Sequence, residues 1–239
     1  MRKNLFDSFG NWKQRNSFEG DLTLKIPVVR DILEANDRIA DEHRELFQKN
    51  SLLVVNLMSS PGAGKTSLLE NTIGHLKEEM RIGVIEGDIQ TSADAERILG
   101  AGASAVQINT DGACHLDANM IKAALAAINI EETDLMFIEN VGNLVCPAEF
   151  DLGEDDKVMI LSVTEGDDKP EKYPLMFHEA SVLLINKIDL LPYVDCNVSK
   201  IREAVLKINP HIKIFEISCQ TKEGLDDWFQ WILDHIKRR

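Results

Sequence analysis

The chain has no run approaching the ~18 consecutive apolar residues of a membrane span, so no membrane partner is expected. Its first residues, MRKNLFDSFGNWKQ, contain no apolar core of signal-peptide length, and the expected location is cytoplasmic. Positive charge is scarce: 26 Lys and Arg face 40 Asp and Glu, a net charge of −14. Phosphate backbones need clustered cations, so nucleic acid is not an expected partner, whereas metal ions suit the balance. Internal repeats, low-complexity tracts and a second-domain boundary are absent. Cysteine is limited to Cys114, Cys146, Cys196 and Cys219. In a reducing compartment a structural disulfide is not expected, which leaves metal binding, nucleophilic chemistry or packing.

What is present is enough to bury one core: 44% of 239 residues are hydrophobic. Residues 1–27 are polar, with scattered aromatics and no clear period, and read as a flexible N-terminal arm. Over 28–49, Val29, Ile32, Leu33, Ile39, Ala40, Leu46 and Phe47 recur at helical spacing. That helix is expected to pack on the edge of the fold built by the rest of the chain. Short apolar runs then fall at 52–58, 82–85, 105–108, 135–138, 158–163, 182–185 and 212–217. Helical stretches such as 66–80, 116–128 and 198–208 separate most of them. The alternation predicts an α/β fold, a mostly parallel sheet of about seven strands flanked by helices. Ligands of such sheets sit at the carboxyl ends of the strands. The last helix carries Leu225, Trp228, Phe229, Trp231, Ile232 and Ile236 at a spacing that predicts core packing.

Between the first strand and its helix stands Ser59-Ser60-Pro61-Gly62-Ala63-Gly64-Lys65-Thr66-Ser67. This is the phosphate-loop pattern, with Ser59 where the first glycine usually stands. Backbone N–H groups from Gly62 to Thr66, with the helix N-terminus behind them, would cradle phosphates. Lys65 would reach the β- and γ-phosphates, and Thr66 would offer its hydroxyl to Mg²⁺. Pro61, Ala63, Gly64 and Ser67 complete the predicted nucleotide loop.

The base is selected further on. Asn186-Lys187-Ile188-Asp189 follows the apolar run at 182–185. The Asp189 carboxylate can accept two hydrogen bonds from the N1–H and 2-amino group of guanine, which adenine cannot supply. GTP and GDP are therefore the expected nucleotides. Ser218-Cys219, after the last strand, would support the base from its other side. Asp88 and Glu139 each follow a strand beside the phosphate loop, where they would hold Mg²⁺ and order the attacking water. No glutamine or arginine finger is evident, so a low intrinsic rate of GTP hydrolysis is expected unless a partner completes the site.

Cys114-His115 and Cys146 also follow strands and would converge at the same edge. Thiolate and imidazole ligate Zn²⁺ and Ni²⁺, and three such groups are too few for a closed tetrahedral site. They suggest a site shared across a two-fold axis, or an exchangeable one. Packing alone is an equal reading of their spacing. Cys146 lies four residues after Gly142, in the loop that would sense the γ-phosphate, and this favours a metal site coupled to the nucleotide. Cys196 and the other histidines read as surface or packing residues.

The segments MSSPGAGKTSLLE, EGDIQTSADAERI, CHLDANMI, FIENVGNLVCPAEFDLGE, LSVTEGDDKPEKYP and LLINKIDLLPY, in this order, resemble the HypB family of hydrogenase nickel-incorporation GTPases from about Val28 onward. The resemblance implies a P-loop GTPase of the class that dimerises on GTP. It implies a nickel metallochaperone acting on the large subunit of nickel–iron hydrogenase alongside other maturation chaperones. It further implies that Cys114, His115 and Cys146 bind Ni²⁺ or Zn²⁺ at the interface of a homodimer, that Asp88 and Glu139 lie near Mg²⁺, and that Lys169 or Lys172 reaches the partner's nucleotide. Serine at position 59 also occurs in this family. The related urease accessory GTPase uses Cys-Pro-His, whereas Cys146-Pro147 is followed here by Ala148. Some members carry an N-terminal cysteine or histidine nickel store. Residues 1–50 have no cysteine and only His43, so nickel is expected to arrive from a partner chaperone.

Overall fold

The computed structural model describes residues 28–88 and 93–239, with side chains over 31–87 and 94–239. The arm expected at 1–27 lies outside the described residues. Along the chain come α1 (Val28–Lys49), β1 (Leu53–Ser59), α2 (Lys65–Leu76), β2 (Ile82–Asp88), α3 (Ala93–Ala101), β3 (Ser104–Asn109), α4 (Ala118–Leu125) and β4 (Leu135–Glu139). After these come α5 (Cys146–Glu149), β5 (Asp156–Ser162), α6 (Lys169–Lys172), α7 (Pro174–Glu179), β6 (Val182–Asn186), α8 (Val198–Ile208), β7 (Lys213–Glu216) and α9 (Leu225–Ile236). The strands form one sheet in the order β3-β2-β4-β1-β5-β6-β7. Every neighbouring pair is parallel.

Composition explains the order. β1, β4 and β6 are buried at every position, and such continuous apolar runs fit strands covered by helices on both faces. β3 and β7, partly exposed, form the edges. The period of two divides β1 between layers. Leu53, Val55 and Leu57 pack with α2 and α9 through Leu68, Ile73, Trp228 and Ile232. Val54 faces α1 and α4, and Met58 faces Phe177 of α7 and Ile201 of α8. The indole N–H of buried Trp228 donates to Thr72 Oγ1 at 3.0 Å, so the C-terminal helix is core, as its spacing predicts.

α1 is not at the edge of the sheet. Phe47 packs with Ile85, Met136 and Ile138, which places the helix over the face of β1, β2 and β4. Its polar groups fasten to the loop before β5. Arg44 Nη2 donates to both oxygens of Asp151 at 2.8 Å, and Asn36 Nδ2 donates to the Asp151 carbonyl at 2.8 Å. Gly153 makes this approach possible: its φ is +88°, and a Cβ there would lie 2.6 Å from the Ala40 carbonyl oxygen. Some ends also differ. α4 starts at Ala118 rather than 116, because Asp117 caps it by accepting from Met120 N at 2.8 Å. α2 stops at Leu76 although the apolar period continues to Met80, since the chain tightens into a turn with Glu79 N donating to Leu76 O at 2.9 Å. β5 ends at Ser162, which with Glu165 forms a capping box for a 3₁₀ turn.

His43 of α1 is buried, and its Nδ1 lies 3.0 Å from the Leu152 carbonyl oxygen. Nδ1 therefore carries the proton, and Nε2 is buried without a hydrogen-bond partner among the described residues. Burial pushes the imidazole pKa below its ordinary value, with the Leu152 bond opposing. Above about pH 6.5 the ring is neutral in both folded and unfolded chains. As pH falls below that, the unfolded chain takes up a proton that the folded chain resists, and stability declines. His43→Gln should flatten this slope. Urea midpoints at pH 7.5 and 5.5 check it, and an equal drop in both proteins would show that His43 does not contribute.

Candidate functional site

β1 runs into the turn at 60–64 and the turn into α2. Gly64 holds the junction with φ 106°, and a Cβ there would sit 2.5 Å from Asn186 Nδ2. Ser59, in place of a glycine, accepts from Lys65 Nζ at 3.0 Å. Asn186 Nδ2 donates to the Ala63 carbonyl at 2.9 Å, while its Oδ1 accepts from Lys187 N at 2.7 Å and Cys219 N at 3.3 Å. One buried amide thus joins three loops. Lys187 Nζ donates to Gly62 O at 2.7 Å. Ser218 Oγ donates to Asp189 Oδ1 at 2.5 Å and accepts from Thr221 N at 3.0 Å. Burial pushes the Cys219 thiol up to about 11, so it stays protonated at neutral pH.

A cleft of 450 Å³ opens over this loop, reaching from Pro61 and Lys65 to Glu139 and Lys187. Thr66 Oγ1 donates to Glu139 Oε1 at 2.9 Å. The other oxygen, Oε2, is buried without a hydrogen-bond partner among the described residues. Burial pushes Glu139 up to about 7, against the pull of Lys65 and the Thr66 hydrogen bond. An orphaned carboxylate oxygen beside a threonine hydroxyl suits a divalent cation, which would hold Glu139 ionised. Asp88 closes β2 in register with Asn109; its side chain and residues 89–92 lie outside the described residues.

Three further groups line the cleft that sequence reasoning missed: Glu86, Asp94 and Arg97. Glu86 lies in register with Glu139. It precedes Asp88 by two, so the strand period would have found it. Arg97 adds an arginine to the lining of the cleft. It bridges Glu70 at 2.6 Å and Asp94 at 2.9 Å, and no local motif marks it. Lys169 lines an adjoining cleft with Pro61 and Glu165, where the Ser60 hydroxyl donates to Glu165. Lys172 pairs with Asp168 at 2.5 Å.

β4 continues from Glu139 into the loop that carries Cys146. A Cβ on Gly142 would lie 2.9 Å from Pro61 N and 3.0 Å from its Cγ, so the backbone of this loop approaches the phosphate loop closely at Pro61. Asn143 accepts from Val145 N at 2.7 Å, and its Nδ2 lies 3.8 Å from Cys146 Sγ. Cys114 Sγ lies 2.8 Å from Cys146 Sγ and 3.5 Å from His115 Nδ1. The ligating atoms of Cys114, His115 and Cys146 all fall within 4.8 Å of one another. The His115 ring stacks on Phe150 with centroids 3.8 Å apart, and burial lowers its pKa, favouring the neutral form that ligates metals. The hydrogen bond with Cys114, then burial, pushes the Cys146 thiol up to about 11; a soft cation would displace that proton. Cys114 is exposed, so the cluster is open to exchange. Cys196 packs instead against α7 and α8.

The joint at Asn186 carries a stability prediction. Asn186→Ala removes partners from Ala63 O, Lys187 N and Cys219 N and should cost about 2–4 kcal/mol. Urea denaturation measures it, and a loss under about 1 kcal/mol would mean that the three loops hold without the amide.

Residues 53–216 match the CobW/HypB/UreG nucleotide-binding domain family. The hydrogenase maturation factor HypB of Azotobacter vinelandii is 54% identical over 205 residues, covering 86% of this chain and 68% of that protein. The crystal structure of HypB from Helicobacter pylori in complex with nickel superposes with a TM-score of 0.82 at 41% identity, over 85% of this chain and 96% of that one. HypB from Archaeoglobus fulgidus gives 0.81 at 41% identity, over 85% and 100%. With the phosphate loop and the Cys/His cluster in one fold, this chain belongs to the HypB hydrogenase maturation factors of the CobW/HypB/UreG family.

Proposed function

We propose that the chain hydrolyses GTP and uses its nucleotide state to bind and release nickel for the large subunit of nickel–iron hydrogenase. One observation carries the reading. The segment that begins at Glu139, partner of Thr66, touches Pro61 through Gly142 and ends at Cys146, a member of the metal-type cluster. Family membership and the nickel complex of the Helicobacter pylori HypB support the cargo.

In this reading Pro61 to Ser67 cradle the phosphates and Lys65 neutralises charge that develops as water attacks the γ-phosphorus and the bond to GDP breaks. Asp88 and Glu139 order that water. Bound Mg²⁺, held by Thr66 and Glu139 with Asp88, would supply charge neutralisation on the β- and γ-phosphates. Asp189 reads guanine, and Ser218, Cys219, Asn186 and Lys187 fix the loops around it. Cys114, His115 and Cys146 hold Ni²⁺, and accept Zn²⁺ by the same donor chemistry. Three donors leave the coordination sphere open, which fits completion by a second copy when GTP drives dimerisation, with Lys169 or Lys172 approaching the partner's nucleotide. Residues 28–239 act as the GTPase domain, with 1–27 as an arm, in the cytoplasm.

Two variants separate the parts. Asp189→Asn loses a charged acceptor and should weaken GDP binding roughly 10- to 100-fold; an intact preference for GTP over ATP would sink the guanine assignment. Cys146→Ala should abolish stoichiometric Ni²⁺ binding while GDP affinity stays within about threefold of the parent. Nickel titration with GDP or a non-hydrolysable GTP analogue, with molar mass followed in parallel, reads both. Unchanged nickel stoichiometry in Cys146→Ala would remove the cluster from the metal site.

A further inference from the structure

Asn140 follows β4 directly and has no part in the chemistry above, yet it is 1% exposed and fully engaged. Its backbone N–H donates to Leu57 O at 3.0 Å, extending the pairing with β1. Its side-chain Oδ1 accepts from two backbone groups: Val141 N at 3.0 Å, on its own loop, and Leu116 N at 3.0 Å, on the loop of Cys114 and His115. Its Nδ2 donates to Asn56 Oδ1 at 3.2 Å. Asn56 in turn donates to Glu154 Oε1 at 3.1 Å, and Glu154 Oε2 accepts from Leu152 N at 2.6 Å. The amide is thus engaged through both its oxygen and its nitrogen, and it cannot swing without breaking a buried bond.

The loop it holds rests on the nucleotide cleft from a second side. Leu116 is buried, and its side chain crowds Gly87, where a Cβ would lie 2.8 Å from Leu116 Cδ1. Gly87 itself lines the cleft, just before Asp88. The Cys114–His115 loop thus contacts the carboxyl ends of both β2 and β4. The Cys146 loop starts at Asn140 and contacts the phosphate loop at Gly142.

We propose that Asn140 is the positioning residue that couples the two halves of the metal cluster to nucleotide state. Its neighbour Glu139 and the Gly142–Pro61 contact register what occupies the phosphate loop. A shift there moves Val141, and the shared Oδ1 carries the shift to Leu116 N, one residue from His115. The cluster then opens or closes as a unit, since one amide holds both of its loops. This inference rests on the nucleotide-gated nickel reading above and names the joint that does the gating.

The test compares Ni²⁺ affinity with GDP and with a non-hydrolysable GTP analogue, in the parent and in Asn140→Ala. Coupling between two sites is commonly about 5- to 150-fold. In Asn140→Ala the ratio of the two affinities should fall to within about twofold of unity, with GDP affinity and nucleotide-free Ni²⁺ affinity kept within about threefold of the parent. A residue with a merely structural role would lower thermal stability and leave the ratio as it was, and that result overturns the proposal. A parent whose Ni²⁺ affinity ignores the nucleotide overturns the underlying gated reading, and the joint with it. Should Asn140→Ala not fold, amide hydrogen exchange in the parent decides. Protection of the Leu116 N–H that changes between the two nucleotides supports the joint, and equal protection overturns it.

Discussion

Parallel pairing of β1 with β4 sets Leu57 beside Glu139 at the carboxyl end of the sheet. From that pair of strand ends the chain departs twice, once into the phosphate loop and once into the loop of Cys146. Asn140 secures the second departure. Its N–H continues the ladder onto Leu57 O, and its side chain serves both its own loop and the loop of Cys114 and His115. A parallel sheet buried on both faces offers no water to do this, so side-chain amides take the role. Asn186 at the end of β6 repeats the device for the guanine-type loops. The candidate chemistry is held by these two asparagines as much as by the motifs that name it.

The electrostatics arise from the same burial. Glu139 is inside because β4 is central, and desolvation raises its pKa while Oε2 has no hydrogen bond among the described residues to oppose it. Cys114 and Cys146 share a hydrogen bond, and burial beside Phe150 favours neutral His115. Glu139 and Cys146 are shifted toward their protonated forms and His115 toward its neutral form, and a bound cation would change or fix each of these states. Affinity at both places is therefore linked to proton release.

The parallel α/β fold was largely legible in the sequence, because apolar runs and their spacing report burial directly. The runs that form β1, β4 and β6 read as strands of a mostly parallel sheet, and the motifs after them lie at the strand ends that line the cleft. The placement of α1 was not legible. Its apolar stripe showed that it packs, but what it packs on depends on Arg44, Asn36 and Gly153, whose partners are distant in sequence or whose role needs a positive φ. Arg97 was invisible for the same reason: its role depends on Glu70, on another helix. The closeness of Cys114 to Cys146 was only inferable, since the intervening positions include a helix and a strand.

Gly142 has a mechanical consequence. No side chain fits between it and Pro61, so its backbone lies against the backbone and the ring of Pro61. A backbone set against another backbone and a proline ring has no free rotamer to absorb a displacement, and close-packed interiors compress little. A small movement in the phosphate loop would therefore pass on with little loss, like a push rod pressed against a valve stem. A softer residue at this point would act as a spring and lose the stroke.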